Sequence, residues 1–205
     1  MLAPRIPELL ERYPELELHL TARDHKIDPI AEGIDVLVRI GHLENSNLIA
    51  KRLGTSEILF VASPSYLARR GTPNHPHDLA KHHVVGYLRD GRPDPWLFSD
   101  PDGVYEVPIR GTFHANDLVA LRMSTLAGRG MAAAFDFIVA EDLRAGRLVR
   151  VLEHTPSTTW PIHPLYPPNR HLLPKVRVFL DFAAKVVSAA RTASSGRRRD
   201  GALNG

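Results

Sequence analysis

In the stretch from Ile34 to Gly41, reading IDVLVRIG, Val36, Leu37 and Val38 form an unbroken apolar run. A half-buried strand alternates apolar and polar residues, so continuity suits a central parallel strand covered on both faces. Such a strand needs helices above and below it, and helical patterns do flank the run. Ile6, Leu9, Leu10 and Tyr13 recur at i, i+3, i+4 and i+7, behind a proline start at Pro4 and ahead of a stop at Pro14. Leu16, Leu18 and Leu20 then alternate with Glu17 and His19, which predicts a strand. "DPIAEG" predicts a short helical turn closed by Gly33, and "LIAKRLG" and "EILFVAS" predict two further strands.

The alternation continues. Ser63-Pro64 predicts the capped start of a helix that Gly71 ends. A short strand is expected around "HVVGYL", and "VYEVPIRGTFHA" reads as two extended segments broken by Pro108 and Gly111. Asn116 is the expected cap of the helix "NDLVALRMSTLAG", terminated at Gly128. "GMAAAF" reads as a buried strand, "DFIVAEDLRAG" as a helix and "RLVRVL" as a strand, and the last helix opens at Pro174. The expected class is therefore α/β with mainly parallel sheets.

Composition narrows the function classes. The chain has 205 residues, 43% apolar and 24% charged, which is ordinary globular chemistry with room for a substantial core. No run approaches the roughly 18 apolar residues of a membrane span, and residues 1–20 lack a signal-peptide pattern. With no cysteine, thiol catalysis and thiolate metal sites are excluded. From Arg191 onward four arginines face one aspartate. The other 190 residues carry 22 basic and 22 acidic side chains, so the body has no charge surplus for gripping phosphates. Residues 191–205 are expected to form a disordered tail.

Catalytic chemistry finds no constellation. His75, His77, His82 and His83 cluster, but Pro76 keeps the first two on a loop, and no third ligand is signalled; no metal site is expected. G-x-S-x-G and G-x-G-x-x-G are both absent, and the glycines of "AGRGMA" follow a helix instead of opening one. Binding has better candidates, because ligands of open α/β sheets sit at the carboxyl ends of parallel strands. Those ends fall at "TARD" (Thr21 to Asp24), at Arg39-Ile40-Gly41, and at the Asn116 helix, whose free N–H groups would hold a carboxylate. Phe135 supplies an apolar wall.

Taken in order, "LLERYPELELHL", "EGIDVLVRIGHLENSNLIAKRLG", "LFVASPSYLARRGTPNHPHDLAKHH", "NDLVALRMSTLAGRGMA", "LRAGRLVRVL" and "PLYPPNRHLLPKVRVFLDF" resemble the regulatory domain of LysR-type transcriptional regulators. The resemblance runs from about Ala3 to Val187. It implies two Rossmann-like lobes of the type 2 periplasmic-binding-protein kind, residues 1–62 with 162–190 and residues 63–161. The crossovers would fall near Val61 to Pro64 and Trp160 to Tyr166. A small effector, commonly an aromatic or carboxylate-bearing metabolite, would bind between the lobes at Thr21, Arg23, Arg39, Ile40, Gly41, Asn116, Asp117 and Phe135. Members of this branch usually carry proline where this chain has Phe135.

The resemblance further implies a cytoplasmic homo-oligomer (dimer or tetramer) that is not an enzyme, uses no cofactor and lies on no membrane. It would meet promoter DNA only through a winged helix-turn-helix that this sequence does not contain. The first strand of lobe I is also expected to be missing. The strands near Leu18 and Val36 should then flank an empty slot or pair directly. The competing expectation is a free-standing solute-binding protein of the same fold.

Overall fold

The computed structural model describes residues 1–23, 27–107, 109–156, 158–170 and 173–195. Its helices and strands follow in chain order as α1 (Ile6–Arg12), β1 (Leu37–Ile40), β2 (Ile49–Ala50), β3 (Gly54–Ala62), α2 (Pro64–Arg70), β4 (His83–Arg89) and β5 (Arg92–Pro93). Then come β6 (Leu97–Asp100), β7 (Gly103–Glu106), β8 (Arg110–Ala115), α3 (Leu118–Leu126), β9 (Ala132–Phe135), α4 (Asp136–Arg144), β10 (Val149–Arg150), β11 (Thr159–Tyr166) and α5 (Pro174–Ser195). Two compact units result. Unit 1 takes Met1–Ser56 and the chain from Thr159 onward, and unit 2 takes Glu57–Thr158.

In unit 1, β11 is the shared partner of β1 and β2, and both pairings are antiparallel. The register sets Leu37 against Leu165 and Ile40 against Ile162. α5 packs where β3 has no side chain: a Cβ on Gly54 would lie 2.6 Å from Val187 Cγ1. Asp35, just ahead of β1, holds Lys175 at 2.6 Å and Arg170 at 3.2 Å, which ties the strand entry to the start of α5. The turn through Pro29–Gly33 is organised by Asp28, whose carboxylate accepts the Ile30 N–H at 2.9 Å, and Gly33 closes it at φ +69°.

Two expectations for this unit fail. Leu16–Leu20 is not a strand and joins no ladder among the described residues; Leu16 and Leu18 are half-buried and Leu20 is 66% exposed. Alternation encodes a face to bury, but a strand forms only when a neighbour supplies the other half of its hydrogen bonds. The strands near Leu18 and Val36 are accordingly not paired directly. The apolar run at Val36 does enter β1, but all four β1 residues are only half-buried and the strand pairs antiparallel with β11. It is not a doubly covered parallel strand.

Unit 2 holds the parallel geometry. β4 and β8 pair parallel, with Gly86 opposite His114 and Tyr87 opposite Ala115. β9 joins β4 through a parallel bridge from Met131 to Val84, and runs antiparallel to β3, with Phe135 opposite Ile58. β10 pairs antiparallel with β3 as well. The sheets are therefore mixed, and antiparallel pairing predominates among the described residues, contrary to the mainly parallel expectation.

The core of unit 2 explains why this sheet needs helices on both sides. Ala62, Val84 and Met131 belong to one buried cluster with Tyr66, Leu79, Trp96, Phe98 and Val107. Their sequence neighbours Val61, Val85 and Ala132 belong to another with Leu121, Val139 and Leu148. Successive residues point to opposite faces of a strand, so both faces are covered. Gly130 lets β9 approach β4, since a Cβ there would fall 2.7 Å from the His83 carbonyl oxygen, and Gly128 ends α3 at φ +72°. These are the glycines of "AGRGMA", and both serve packing. The hairpin of β6 and β7, which was not anticipated, closes one side with Phe98 buried.

The last helix runs on through Ser195, five residues into the segment expected to be disordered, while 196–205 lie outside the described residues. No helix among the described residues is long and apolar enough to cross a membrane.

Candidate functional site

The unit 1 candidates sit where β1 ends. Arg39 lies opposite His163 and Ile40 opposite Ile162. Gly41 then leaves the strand at φ +127°, a conformation that favours glycine, and its N–H donates to the Pro161 carbonyl at 2.9 Å. A Cβ on Gly41 would stand 3.6 Å from the Trp160 ring, and His42 approaches the same ring at 5.7 Å between centroids. The expected triplet Arg39-Ile40-Gly41 is thus joined by two rings, Trp160 and His42. Thr21 and Arg23 are exposed on a segment that follows no strand, and Arg23 is committed to Glu32 at 2.5 Å. Asp24 lies outside the described residues.

In unit 2, the parallel strands β8, β4 and β9 end together, and their carboxyl ends present Asn116, Arg89 and Phe135. Asp117, not Asn116, caps α3: its carboxylate accepts from Val119 N at 2.7 Å and from Ala120 N at 3.1 Å. The first-turn N–H groups expected to hold an effector carboxylate are already taken by a carboxylate of the chain itself. α4 differs: Phe135 stands at its cap position and supplies no side-chain cap, while Asp136 in the first turn accepts the Phe137 N–H at 2.9 Å. Arg89 is gripped by Asp94 at 2.7 and 3.0 Å and lies 5.8 Å from the Tyr87 ring centre. Phe135 stacks on Phe137 with centroids 5.5 Å apart and planes within 8°.

The histidine cluster has other employment. His75 caps the 3-10 turn of Pro76–Lys81, where Asp78 completes a capping box. His82 is buried, with Nδ1 3.2 Å from the Tyr66 hydroxyl, which in turn accepts the His83 N–H at 2.8 Å. A pocket of about 300 Å³ does open in unit 1, between the Pro29–Ile34 turn and Pro167–Arg170, but it contains none of the expected residues.

Comparison with known proteins decides the family. The family model for the LysR substrate binding domain matches residues 1–188. The chain belongs to the LysR substrate-binding domain family. It is 34% identical over 184 residues to the HTH-type transcriptional regulator CrgA of Neisseria meningitidis serogroup C, covering 89% of this chain and 61% of that protein. An HTH-type regulator of Haemophilus influenzae is 33% identical over 175 residues, with 85% and 61% covered. The LysR domain here thus spans about three-fifths of the curated relatives it matches.

Solved structures agree. The CrgA regulatory domain superposes with a TM-score of 0.82 at 34% identity, covering 91% of this chain and 92% of that one. Full-length AphB, a virulence activator of Vibrio cholerae, gives 0.78 at 30% identity, with 91% and 63% covered. The mixed sheets described above are those of a LysR regulatory domain.

Trp160, His42, Phe137 and Asp136 were not singled out from the LysR sequence. Trp160 is far from Gly41 in the chain, so only strand pairing reveals it. Phe137 and Asp136 had a local signal: an aromatic and an acidic residue directly after a small-residue strand, where a helix begins.

Proposed function

We propose that this chain is the effector-sensing part of a LysR-type transcriptional regulator. A small metabolite bound at the carboxyl ends of its strands changes how the longer, oligomeric protein sits on promoter DNA. The observation that carries the reading is the convergence of Asn116, Arg89 and Phe135 on one edge of unit 2, within a chain similar along its length to the regulatory domain of CrgA. In unit 1, Arg39, Ile40 and Gly41 at the end of β1 are the effector-binding candidates.

In this reading the two units are the two lobes of a type 2 periplasmic-binding-protein fold. Thr21 and Arg23 belong to the rim of the unit 1 site. The domain acts by binding and not by turnover, in the cytoplasm, through differential affinity for two arrangements of its subunits. The relatives named as regulators favour this over a free-standing solute-binding protein.

The test is a thermal-shift screen of the chain against a metabolite panel. A ligand at 100 times its Kd stabilises a one-site protein by about 2.7 kcal/mol. A hit whose shift is lost in Arg39→Ala or Asn116→Ala supports the proposal. A hit indifferent to both places binding elsewhere.

A further inference from the structure

We infer that the strand-end site of unit 2 takes a flat ring bearing a neutral or cationic polar group, and turns away a carboxylate. This rests on the effector-binding reading above and sharpens it. Phe135 ends β9 and Phe137 lies in the first turn of α4; both are half-buried, and their near-parallel stack is a preorganised apolar surface at the strand ends. A planar ligand ring extends that stack at little conformational cost, because the two side chains already fix each other.

The charges around the stack set the sign of what comes with the ring. Helix N-termini beside strand ends commonly bind anions through free N–H groups and the positive end of the dipole. Here Asp117 has taken those places on α3, and Asp136 sets a negative charge in the first turn of α4, where it accepts the Phe137 N–H. Arg89 at the end of β4 is matched by Asp94 and covered by Tyr87. Arg110 is at the far end of the sheet, opposite His83. A carboxylate reaching this edge meets the like charges of Asp117 and Asp136 and finds the α3 donors occupied. An ammonium, amide or hydroxyl meets acceptors, and an ammonium also gains from the Phe faces.

Three probes of one shape separate the cases: benzylamine, benzamide and benzoate, titrated into the ¹⁵N-labelled chain at equal concentrations. Benzylamine and benzamide are expected to shift the amides of Asn116–Val119 and Phe135–Phe137, with benzoate at least about fivefold weaker there, the effect of one like charge about 4 Å away even at the dielectric of water. Asp117→Asn keeps a good helix cap and removes one charge, so it should narrow the gap for benzoate severalfold. Phe137→Ala should weaken every probe that shifts these amides. Benzoate binding this edge as well as benzamide in the unmodified chain, or a gap between them that Asp117→Asn leaves unchanged, overturns the inference and leaves the effector site standing. If no probe shifts amides at this edge, the inference falls. If none shifts those of Arg39–Gly41 either, the effector site falls with it.

Discussion

Asp117 holds the backbone N–H of Val119 at 2.7 Å, and with it the start of α3. The contact is local and independent of any ligand, so it has a stability of its own to measure. Replacing an aspartate cap by alanine costs about 1 kcal/mol, while asparagine caps nearly as well. Asp117→Ala should therefore lower the urea midpoint and Asp117→Asn should leave it almost unchanged. Equal losses in the two variants would assign the role to charge and not to capping.

The Asp142 carboxylate is fully buried and receives Arg122 at 2.5 and 2.8 Å and Arg147 at 2.8 Å, linking α3, α4 and the turn into β10. Burial pushes its pKa up, but the hydrogen bonds from the two guanidinium groups prevail and hold it below the ordinary carboxylate value. The folded chain thus binds this proton less readily than the unfolded one. The stabilisation is complete above about pH 4 and drains away as the pH falls further. Both arginines remain partly exposed and can turn to water, so Asp142→Ala should cost about 3 kcal/mol, the low end for a broken buried pair. Denaturation at pH 7 and pH 3.5 checks both statements: the penalty should shrink at the lower pH.

His82 responds in a higher range. Burial lowers its pKa, and nearby Arg70 adds to this against the opposing field of Asp78. The unfolded chain takes up this proton near pH 6.5 while the folded chain resists, so stability is lost as the pH drops below that value and is unaffected above it. Denaturant midpoints at pH 7.5 and 5.5 should fall further in the unmodified chain than in His82→Gln. Parallel losses would remove His82 from the account.

Gly54 and Val187 make a packing prediction. A Cβ on Gly54 would sit 2.6 Å from a Val187 methyl, and valine has little rotamer freedom to retreat. Gly54→Ala should cost about 1–3 kcal/mol by overpacking, and Val187→Ala in the same chain should recover part of it. A simple sum of the two single effects would show that the contact is not the cause.

Local signals were the ones that sequence carried faithfully. Ser63 caps α2 behind Pro64, Asp28 organises the turn that Gly33 closes, and Gly128 ends α3, because each depends only on residues within one helical turn. What failed depends on partners. "LELHL" has strand alternation without a ladder to join. The run at Val36 reads as doubly buried because apolar continuity does not reveal which neighbour is present. At the site, Arg39–Gly41 and Phe135 were readable as strand ends, whereas Trp160 reaches Gly41 only through the pairing of β1 with β11. Asn116 and Asp117 are both good caps, and the expectation of Asn116 stopped one residue short of the cap that the structure uses. That choice matters most, since it moved a negative charge onto the place reserved for an effector's carboxylate.

Small molecules are proposed to bind at the carboxyl ends of the strands. A crystal of the chain soaked with a cocktail of ring-bearing fragments tests it directly. Density is expected against Phe135 and Phe137 beside Asn116, or against Arg39–Gly41 and Trp160. Fragments found only in the pocket between Pro29 and Pro168, with both strand ends empty, would contradict it.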